Sequence, residues 1–515
     1  HCLGCNCKII MRIITVAQAA ELDQKAMQDH GISGIDLMGA AGKAIAEEVK
    51  KIAADIHDPR IVIVCGKGNN GGDGFAAAAC IDQFSVQVFS IVDQDDIKGD
   101  SAHFHELCIQ KKVTIHYGIN TPDDHECDLV IDALLGTGCQ GELRDDIAKW
   151  TTWMNKLSCF VLAVDCPTGI DGNRGIAAQN SVRAEKTVTM GYPKLGLYIK
   201  QGQEHAGEIE AVDIGFPDII DELPGLRWST FASPNISDMF SKLDTDTYKH
   251  RQGKLLLIAG SKGMTGAAVL STFGALRSGA GLTITCAPES IEEIYEKTII
   301  EGMTIGCPDG GNGFLIPASY KIIEEKFEWC DAIVIGPGLG NNAKTIKLVE
   351  QIVFNAQKPM IIDADGLRMF HGNLNLFKKI KVPYIITPHE GEFCGLLGID
   401  QGQFLDDYPN IIEQFMADFP GVLVLKNAPT ITFQNNDAII NSSGNPGMAT
   451  AGMGDVLAGI LGTFAAQGMD VFQTAQAGVY LHGFAADCKI EEKGLRGLIA
   501  SDILEELPKV MREFD

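Results

Sequence analysis

The stretch IVIVCGKGNNGGDGFAAAA, residues 61–79, reads as a strand, a glycine-rich turn and a helix. Residues 61–65 run without a polar break, which fits a strand covered on both faces. Gly66, Gly68, Gly71 and Gly72 let the backbone approach a phosphate closely, with amides turned inward. Asn69, Asn70 and Asp73 add polar groups that an ordinary tight turn does not need. The simpler reading is a glycine-rich crossover turn, and GxGxxG alone does not decide between the two.

Outward from this stretch the same alternation repeats. Thr15 to Gln18 reads as a capping box opening a helix through about Gln28, and a second helical pattern, IDLMGAAGKAIAEEVKKIAA, follows. Short β-branched runs at 61–66, 86–92, 128–136, 160–167 and 186–190 are separated by helical ones, the pattern of a doubly covered parallel sheet. Regularity fades across a Pro-, Ser- and Asp-rich stretch. We place a linker there at 221–245, between domains at 11–220 and 246–515. Alternation then restarts at 254–260, 281–288, 331–340, 359–367, 382–392 and 422–433. The expected fold is α/β, with a Rossmann-like three-layer sandwich followed by a second three-layer sandwich. Open sheets of this kind bind ligands beyond the carboxyl ends of their strands.

The chain has 515 residues, more than one core holds, and a formal charge of −25. That charge repels polyanions, so no nucleic-acid or anionic-membrane partner is expected. No apolar run reaches the roughly 20 residues that cross a bilayer. Fifteen cysteines without framework spacing fit reduced thiols and a cytoplasmic setting. Cys2, Cys5 and Cys7 lack a fourth metal ligand, and residues 1–10 are read as a leader or tag-like segment without function.

Two more strand ends of the first half carry acids: Asp132 in VIDALLGTGCQGE and Asp165 in VLAVDCPTGIDG. Each alone reads equally well as a turn cap. With Asn70 and Thr168 they offer oxygens that suit a hard cation. In the second half, KLLLIAGSKGMTGAAVLS is a strand, a glycine loop and a helix, and TPHEGE places His389, Glu390 and Glu392 after a strand. A packed or capping role for His389 competes with substrate contact, which we favour over a metal. GNPGMATAGMGDVLAG, residues 444–459, carries most. Small residues from Ala451 to Gly454 leave amides open at a helix N-terminus, an anion hole reinforced by the helix dipole. Asp455 there is either a dipole-stabilising acid, worth about 0.3–1 kcal/mol, or a base that takes a hydroxyl proton while the amides hold a transferring phosphoryl group.

Taken together, GKGNNGGDG, VIDALLGTG and VDCPTGIDG resemble the NAD(P)H-hydrate epimerase family over residues 15–218. GPGLG, DADGL, TPHEGE, LKNAPT and GNPGMATAGMGD resemble the ADP/ATP-dependent NAD(P)H-hydrate dehydratases of the ribokinase-like superfamily over 248–508. The implied activity is bifunctional. The R and S forms of hydrated NADH or NADPH (NADHX, NADPHX) are epimerised, and the S form is phosphorylated and loses phosphate to restore NAD(P)H. In the epimerase half the resemblance implies substrate contact by Asn69, Asn70, Gly71, Gly72, Asp73, Gly136, Thr137, Gly138, Cys139, Gln140, Gly141, Glu142 and Asp165, with potassium on Asn70, Asp132 and Thr168. Asp165 is the acid–base candidate, with Lys194 in GYPKLG a distant second that reads rather as structural or a surface charge. In the dehydratase half, Asp455 is the base, and Ala267, Gly340 and His389 contact the hydrate. Lys426, Asn427, Ala428, Pro429, Thr430 and Gly454 contact ADP or ATP, with Mg2+ accompanying the nucleotide. Family members usually read LKGA where this chain has LKNA, which puts the geometry at Asn427 in question. A homo-oligomer is expected by the same resemblance. The competing readings are a vitamin-type kinase fused to a nucleotide-binding domain, and a first half that is a non-catalytic module.

Overall fold

A computed structural model describes residues 11–118, 120–122, 126–231, 234–240, 242 and 245–514. The Cys2, Cys5 and Cys7 cluster lies outside them. The chain divides into two compact units, Arg12–Trp228 and a second that takes in Ser229–Asp515.

The sheet of the first unit holds seven strands, β1 (Arg60–Cys65), β2 (Ser85–Ser90), β3 (Thr114–Tyr117), β4 (Leu129–Ala133), β5 (Phe160–Val164), β6 (Lys186–Met190) and β7 (Glu208–Val212). They form one parallel sheet in the order β3-β2-β1-β4-β5-β6-β7. Its helices include α1 (Val16–Gln28), α2 (Gly34–Ile52), α3 (Asn69–Cys80), α4 (Asp100–Gln110) and α5 (Asp145–Met154). The expected box opens α1: Thr15 Oγ1 accepts from Gln18 N–H at 3.2 Å, and Thr15 N–H donates to Gln18 Oε1 at 2.9 Å, an arrangement worth about 1 kcal/mol. Alternate residues of β1 serve opposite faces. Ile61, Ile63 and Cys65 join Phe75 and the alanines of α3 in one core, while Val62 and Val64 join Trp150 of α5 in another. This two-sided burial explains why the strand reads apolar throughout.

In the second unit the strands are β8 (Lys254–Ile258), β9 (Leu282–Pro288), β10 (Met303–Cys307), β11 (Ala332–Ile335), β12 (Met360–Ile362), β13 (Tyr384–Ile386), β14 (Val422–Leu425), β15 (Ile431–Gln434) and β16 (Asp437–Ile440). Their order is β16-β15-β14-β13-β12-β11-β8-β9-β10, parallel from β10 to β14 and then antiparallel through β15 and β16. The run expected as one strand at 422–433 is therefore a hairpin, turned at Asn427–Thr430. Helices that place the site are α6 (Thr265–Arg277), α7 (Glu390–Leu397), α8 (Met453–Ala466) and α9 (Val471–Gly497). Leu457 and Leu461 of α8 pack on Leu255, Leu257 and Val334.

The stretch 221–245 is not a free-standing linker where it is described. Leu223, Leu226 and Trp228 are buried, and Gln18 Nε2 donates to the carbonyls of Pro224 and Leu226. Beyond the division, Phe231 N–H donates to Ile440 O, and Phe240 packs against Phe464. Among the described residues no helix is long and apolar enough to cross a membrane.

Candidate active sites

In each unit the strand order reverses once: between β1 and β4 in the first, and between β8 and β11 in the second. Those are the crevices where open α/β sheets place ligands.

At the first crevice the chain leaves β1 at Gly66, where an added Cβ would lie 1.8 Å from Leu134 O, so only glycine fits between the strand ends. Helix α3 begins at Asn69, earlier than a separate loop would allow. Gly71 and Gly72 therefore sit in its first turns. A Cβ on Gly71 would meet Gly66 O at 1.9 Å, and one on Gly72 would meet Ser101 Oγ and Met38. These two glycines serve close packing as well as leaving the backbone bare. Asn69 is exposed at the helix start and Asn70 is buried. With its amide oriented to satisfy both ends, Asn70 donates to Val164 O and accepts from Gly136 N–H, each at 3.1 Å. Gly136 (φ +55°) lies so near that a Cβ there would be 2.7 Å from the Asn70 amide. Asn70 thus ties the GTG turn (136–138) to the end of β5.

Asp132, on β4, is fully buried. Its Oδ2 accepts from Thr168 N–H at 2.7 Å, and its Oδ1 accepts from Thr168 Oγ1–H at 2.8 Å and Leu134 N–H at 3.2 Å. Burial raises its acid to about 6 against the pull of those hydrogen bonds, and no cationic side chain contributes. Asp165 follows β5 at φ +64°, a region that non-glycine residues seldom occupy and that clusters at functional sites. Its N–H donates to Val188 O at 2.7 Å. Its Oδ1 accepts from Lys194 Nζ at 2.5 Å, Thr189 Oγ1–H at 3.1 Å and Met190 N–H at 3.3 Å. Lys194 is 4 % exposed, so its reading as a surface charge is corrected: the ammonium is buried on Asp165. Asp73 and, from α1, Asp23 both feel this pair. Burial holds each acid up, with Asp165 acting the same way and Lys194 opposing it.

Of the remaining predicted contacts here, Thr137, Gly138, Gln140, Gly141 and Glu142 line a partly or fully exposed turn. Glu142 accepts from Gln179 N–H at 3.1 Å. Cys139 points inward instead: it is buried, its thiol is pushed up by that burial, and its side chain presents nothing to a ligand.

At the second crevice, the loop after β8 and the GPGLG loop after β11 meet. Ser261 Oγ–H donates to Gly338 O at 2.8 Å, and a Cβ on Gly338 would lie 2.8 Å from Cβ of Ala267. Gly340 (φ +79°) gives its N–H to Asp365 Oδ2 at 2.7 Å, so that amide is committed to the protein. Buried Asp363, just after β12, accepts on one oxygen from Lys426 Nζ at 2.7 Å and from Thr387 Oγ1–H at 2.6 Å. The Lys426 side chain is thus turned onto Asp363 at the start of the loop after β14.

That loop is shaped locally. Ala428 N–H donates to Asn427 Oδ1, Thr430 Oγ1–H donates to Asn427 O, Asn427 Nδ2–H donates to Glu390 Oε2 at 2.6 Å, and Ala428–Pro429 is cis. Asn427 therefore organises the turn with its own side chain, in place of the expected glycine. His389 caps α7: Nδ1 accepts from Glu392 N–H at 3.2 Å, with Glu392 Oε2 returning to His389 N–H. The ring remains more than half exposed.

Helix α8 opens after Gly452 in the left-handed region (φ +89°). Gly454 passes close over the lysine, since a Cβ there would be 3.1 Å from Lys426 Nζ. Asp455 lies in the first turn. Burial raises its acid to about 7, with Asp363 and Asp365 adding to the rise and Lys426 opposing it; no hydrogen bond contributes. The result is a half-buried carboxyl lifted toward neutrality at a helix N-terminus, an arrangement suited to proton transfer.

Sequence reading missed four supports of this site. Asp363 and Thr387 hold the lysine. Asp487 of α9 accepts from Gly444 N–H and Asn445 Nδ2–H, each at 2.8 Å, and so clamps the GNPG turn. His482 of α9 is buried with Nε2 unpartnered, and its pKa is pushed down to about 4 by burial, with Lys426 adding to the effect. DADGL was already a strand-end motif and pointed to Asp363, whereas the α9 residues sit mid-helix with no sequence signal.

Residues 255–509 match the NAD(P)H-hydrate dehydratase family, and residues 34–196 match the family described as YjeF-related protein N-terminus. The bifunctional NAD(P)H-hydrate repair enzyme of Moorella thermoacetica is 32% identical over 98% of this chain and 97% of its own length. That of Salinibacter ruber is 31% identical over 97% and 96%. The ADP/ATP-dependent NAD(P)H-hydrate dehydratase of Bacillus subtilis, co-crystallised with ATP and Mg2+, is 27% identical, covers 56% of this chain and 98% of its own, and has a TM-score of 0.48. The chain belongs to the bifunctional NAD(P)H-hydrate repair enzymes, an epimerase domain followed by a dehydratase domain.

Proposed function

We propose that the second crevice transfers a phosphoryl group from ADP or ATP to the C6 hydroxyl of NADHX or NADPHX, after which phosphate leaves and the dihydronicotinamide is restored. The observation that carries this is Asp455: an acid near 7, unbonded, at the N-terminus of α8 and beside the Asp363–Lys426 pair. Asp455 takes the hydroxyl proton as the oxygen attacks phosphorus. The amides around Gly454 and the dipole of α8 hold the transferring group. A poor leaving group has then become a good one. Lys426 is kept protonated by Asp363, and it adds positive charge under the same helix end. Mg2+ enters as the nucleotide's own counter-ion.

The first crevice epimerises the hydrate. Loss of the C6 oxygen as water requires a proton, and its return to the opposite face requires a proton to leave. The Lys194–Asp165 contact supplies a donor and an acceptor at one place. The residues expected to hold potassium fit the ion on charge, because Asp132 is a buried carboxylate with no cationic side chain nearby. Asn70 and Thr168 would complete an oxygen set with it, and the ion would neutralise the acid and fix the two loops.

The test mixes protein, ADP or ATP, Mg2+, K+ and an R/S mixture of hydrated NADH, and follows return of NADH absorbance. Full recovery is expected. Recovery that stops at the S fraction, with spontaneous epimerisation slow, removes the epimerase assignment. A stable phosphorylated product in place of free phosphate turns the second site into a simple kinase.

A further inference from the structure

We propose that Cys127 and Cys159 form an oxidation site, a dithiol that a hydroperoxide converts to an intramolecular disulfide. The two thiols stand at the entries of β4 and β5, parallel neighbours with Leu129 opposite Phe160. Phe160 N–H donates to Asp128 O at 3.3 Å, so the pairing extends back to the cysteines. Adjacent strands run about 4.8 Å apart, and the sulfurs approach to 3.4 Å. A disulfide needs about 2.05 Å, a closure within reach of side-chain rotation.

Access separates this pair from most other thiols. Cys65, Cys108, Cys139, Cys166, Cys286, Cys307, Cys330 and Cys394 are buried, while Cys80, Cys127, Cys159 and Cys488 are partly exposed. Of those four, only Cys127 and Cys159 lie sulfur to sulfur. Their contact lowers the Cys127 thiol against burial and Asp128, with the Arg60 guanidinium adding a smaller pull in the same direction, and it raises Cys159. The roles divide accordingly. The Cys127 thiolate attacks one peroxide oxygen and the O–O bond breaks. Cys127 becomes a sulfenic acid, and the other oxygen leaves as alcohol or water after protonation. Cys159 then loses its proton and attacks the Cys127 sulfur, forming S–S as S–O breaks and water departs. Two thiols are oxidised by two electrons, and one peroxide is reduced.

The bond would form at the amino ends of β4 and β5, whereas Asp132 and Asp165 sit toward their carboxyl ends. It would tie together the two strands that carry the first site without entering it. The experiment treats the full-length reduced protein with increasing hydrogen peroxide and maps peptides by mass. Expected are a Cys127–Cys159 bridged peptide lighter by two hydrogens at the lowest doses, its reversal by dithiothreitol, and unchanged epimerase activity. In Cys159→Ser the bridge is lost, and Cys127 is trapped as a sulfenic acid by a dione reagent. Modification of Cys80 or Cys488 before the pair, or separate oxidation of Cys127 and Cys159 to sulfinic acids without a bridge, overturns the proposal.

Discussion

The acid that closes β5 in the first unit and the acid that opens α8 in the second stand beside lysines in opposite ways. Asp165 holds Lys194 directly, at 2.5 Å. Asp455 does not touch Lys426, which is taken by Asp363 at 2.7 Å. The difference follows the chemistry. A base that must accept a proton at neutral pH is served by burial and neighbouring acids that lift it, and a salt bridge would undo that lift. A site that must give a proton and take one back is served by a bonded donor–acceptor pair. On the proposed mechanism the two units differ in where a second carboxylate is placed: Asp363 takes the lysine in the second, and among the described residues no other acid takes Lys194 from Asp165 in the first.

Removing the base breaks the comparison most sharply. Asp455→Asn should lower dehydration by roughly 10²–10⁴-fold with epimerisation unchanged; near wild-type dehydration would remove Asp455 from the mechanism. The pH profile of kcat/KM for dehydration should climb through about 7 as Asp455 ionises. Stability moves the other way. Because the folded acid lies above its unfolded value, Asp455 favours the folded state only while protonated. Its cost therefore grows as pH rises from the unfolded carboxylate range to about 7, then levels off. Asp455→Asn should accordingly melt higher than wild type at pH 8 and equal to it near pH 4.

Lys194 comes next. Lys194→Met strands Asp165 half out of water and should cost the first unit about 3 kcal/mol, with loss of epimerisation and dehydration of the S form retained. Lys194→Arg separates the roles. It keeps the ion pair and most of the stability, so an epimerase rate that stays low identifies proton transfer as the lysine's task. A full rate would reduce Lys194 to holding Asp165 in place.

A smaller effect probes Asp132. If the buried carboxylate takes potassium, adding K+ in place of Li+ should raise the melting temperature of the wild-type first unit by mass action. Asp132→Asn should lose that response. An equal shift in both proteins would place the ion elsewhere.

Much of this was legible in the sequence because buried parallel strands read as unbroken apolar runs. β4, β5, β8 and β11 fall inside the expected segments, and β1 begins one residue before its own. What escaped were β3, β7 and β10, which lie at sheet edges, and β16; all mix polar with apolar residues, as in Glu208–Val212. Gly71 and Gly72 read as a phosphate loop in sequence, and only the fold shows that their missing side chains also make room for Gly66 O, Met38 and Ser101. Lys194 was undervalued because a lysine after a turn is ordinarily solvated, and only the fold returns it to Asp165. The α9 residues carry no local pattern at all; their partners lie more than thirty positions away.

Asp487 gives the mildest test and the most specific one. Its carboxylate holds Gly444 and Asn445, and Ser443 Oγ–H anchors the same turn to Tyr480 O at 2.7 Å. Asp487→Ala leaves the second anchor in place, so the turn should loosen without unfolding, at a cost of about 1–3 kcal/mol for the donors left without an acceptor. The turn leads directly into the helix start that receives phosphate, so the loss should appear chiefly in the nucleotide KM, with the limb at pH 7 unmoved because Asp455 keeps its neighbours. A shifted limb would mean that α9 sets the electrostatics of the base as well as the position of the loop. Asp487→Asn, which keeps one acceptor, should fall between wild type and alanine.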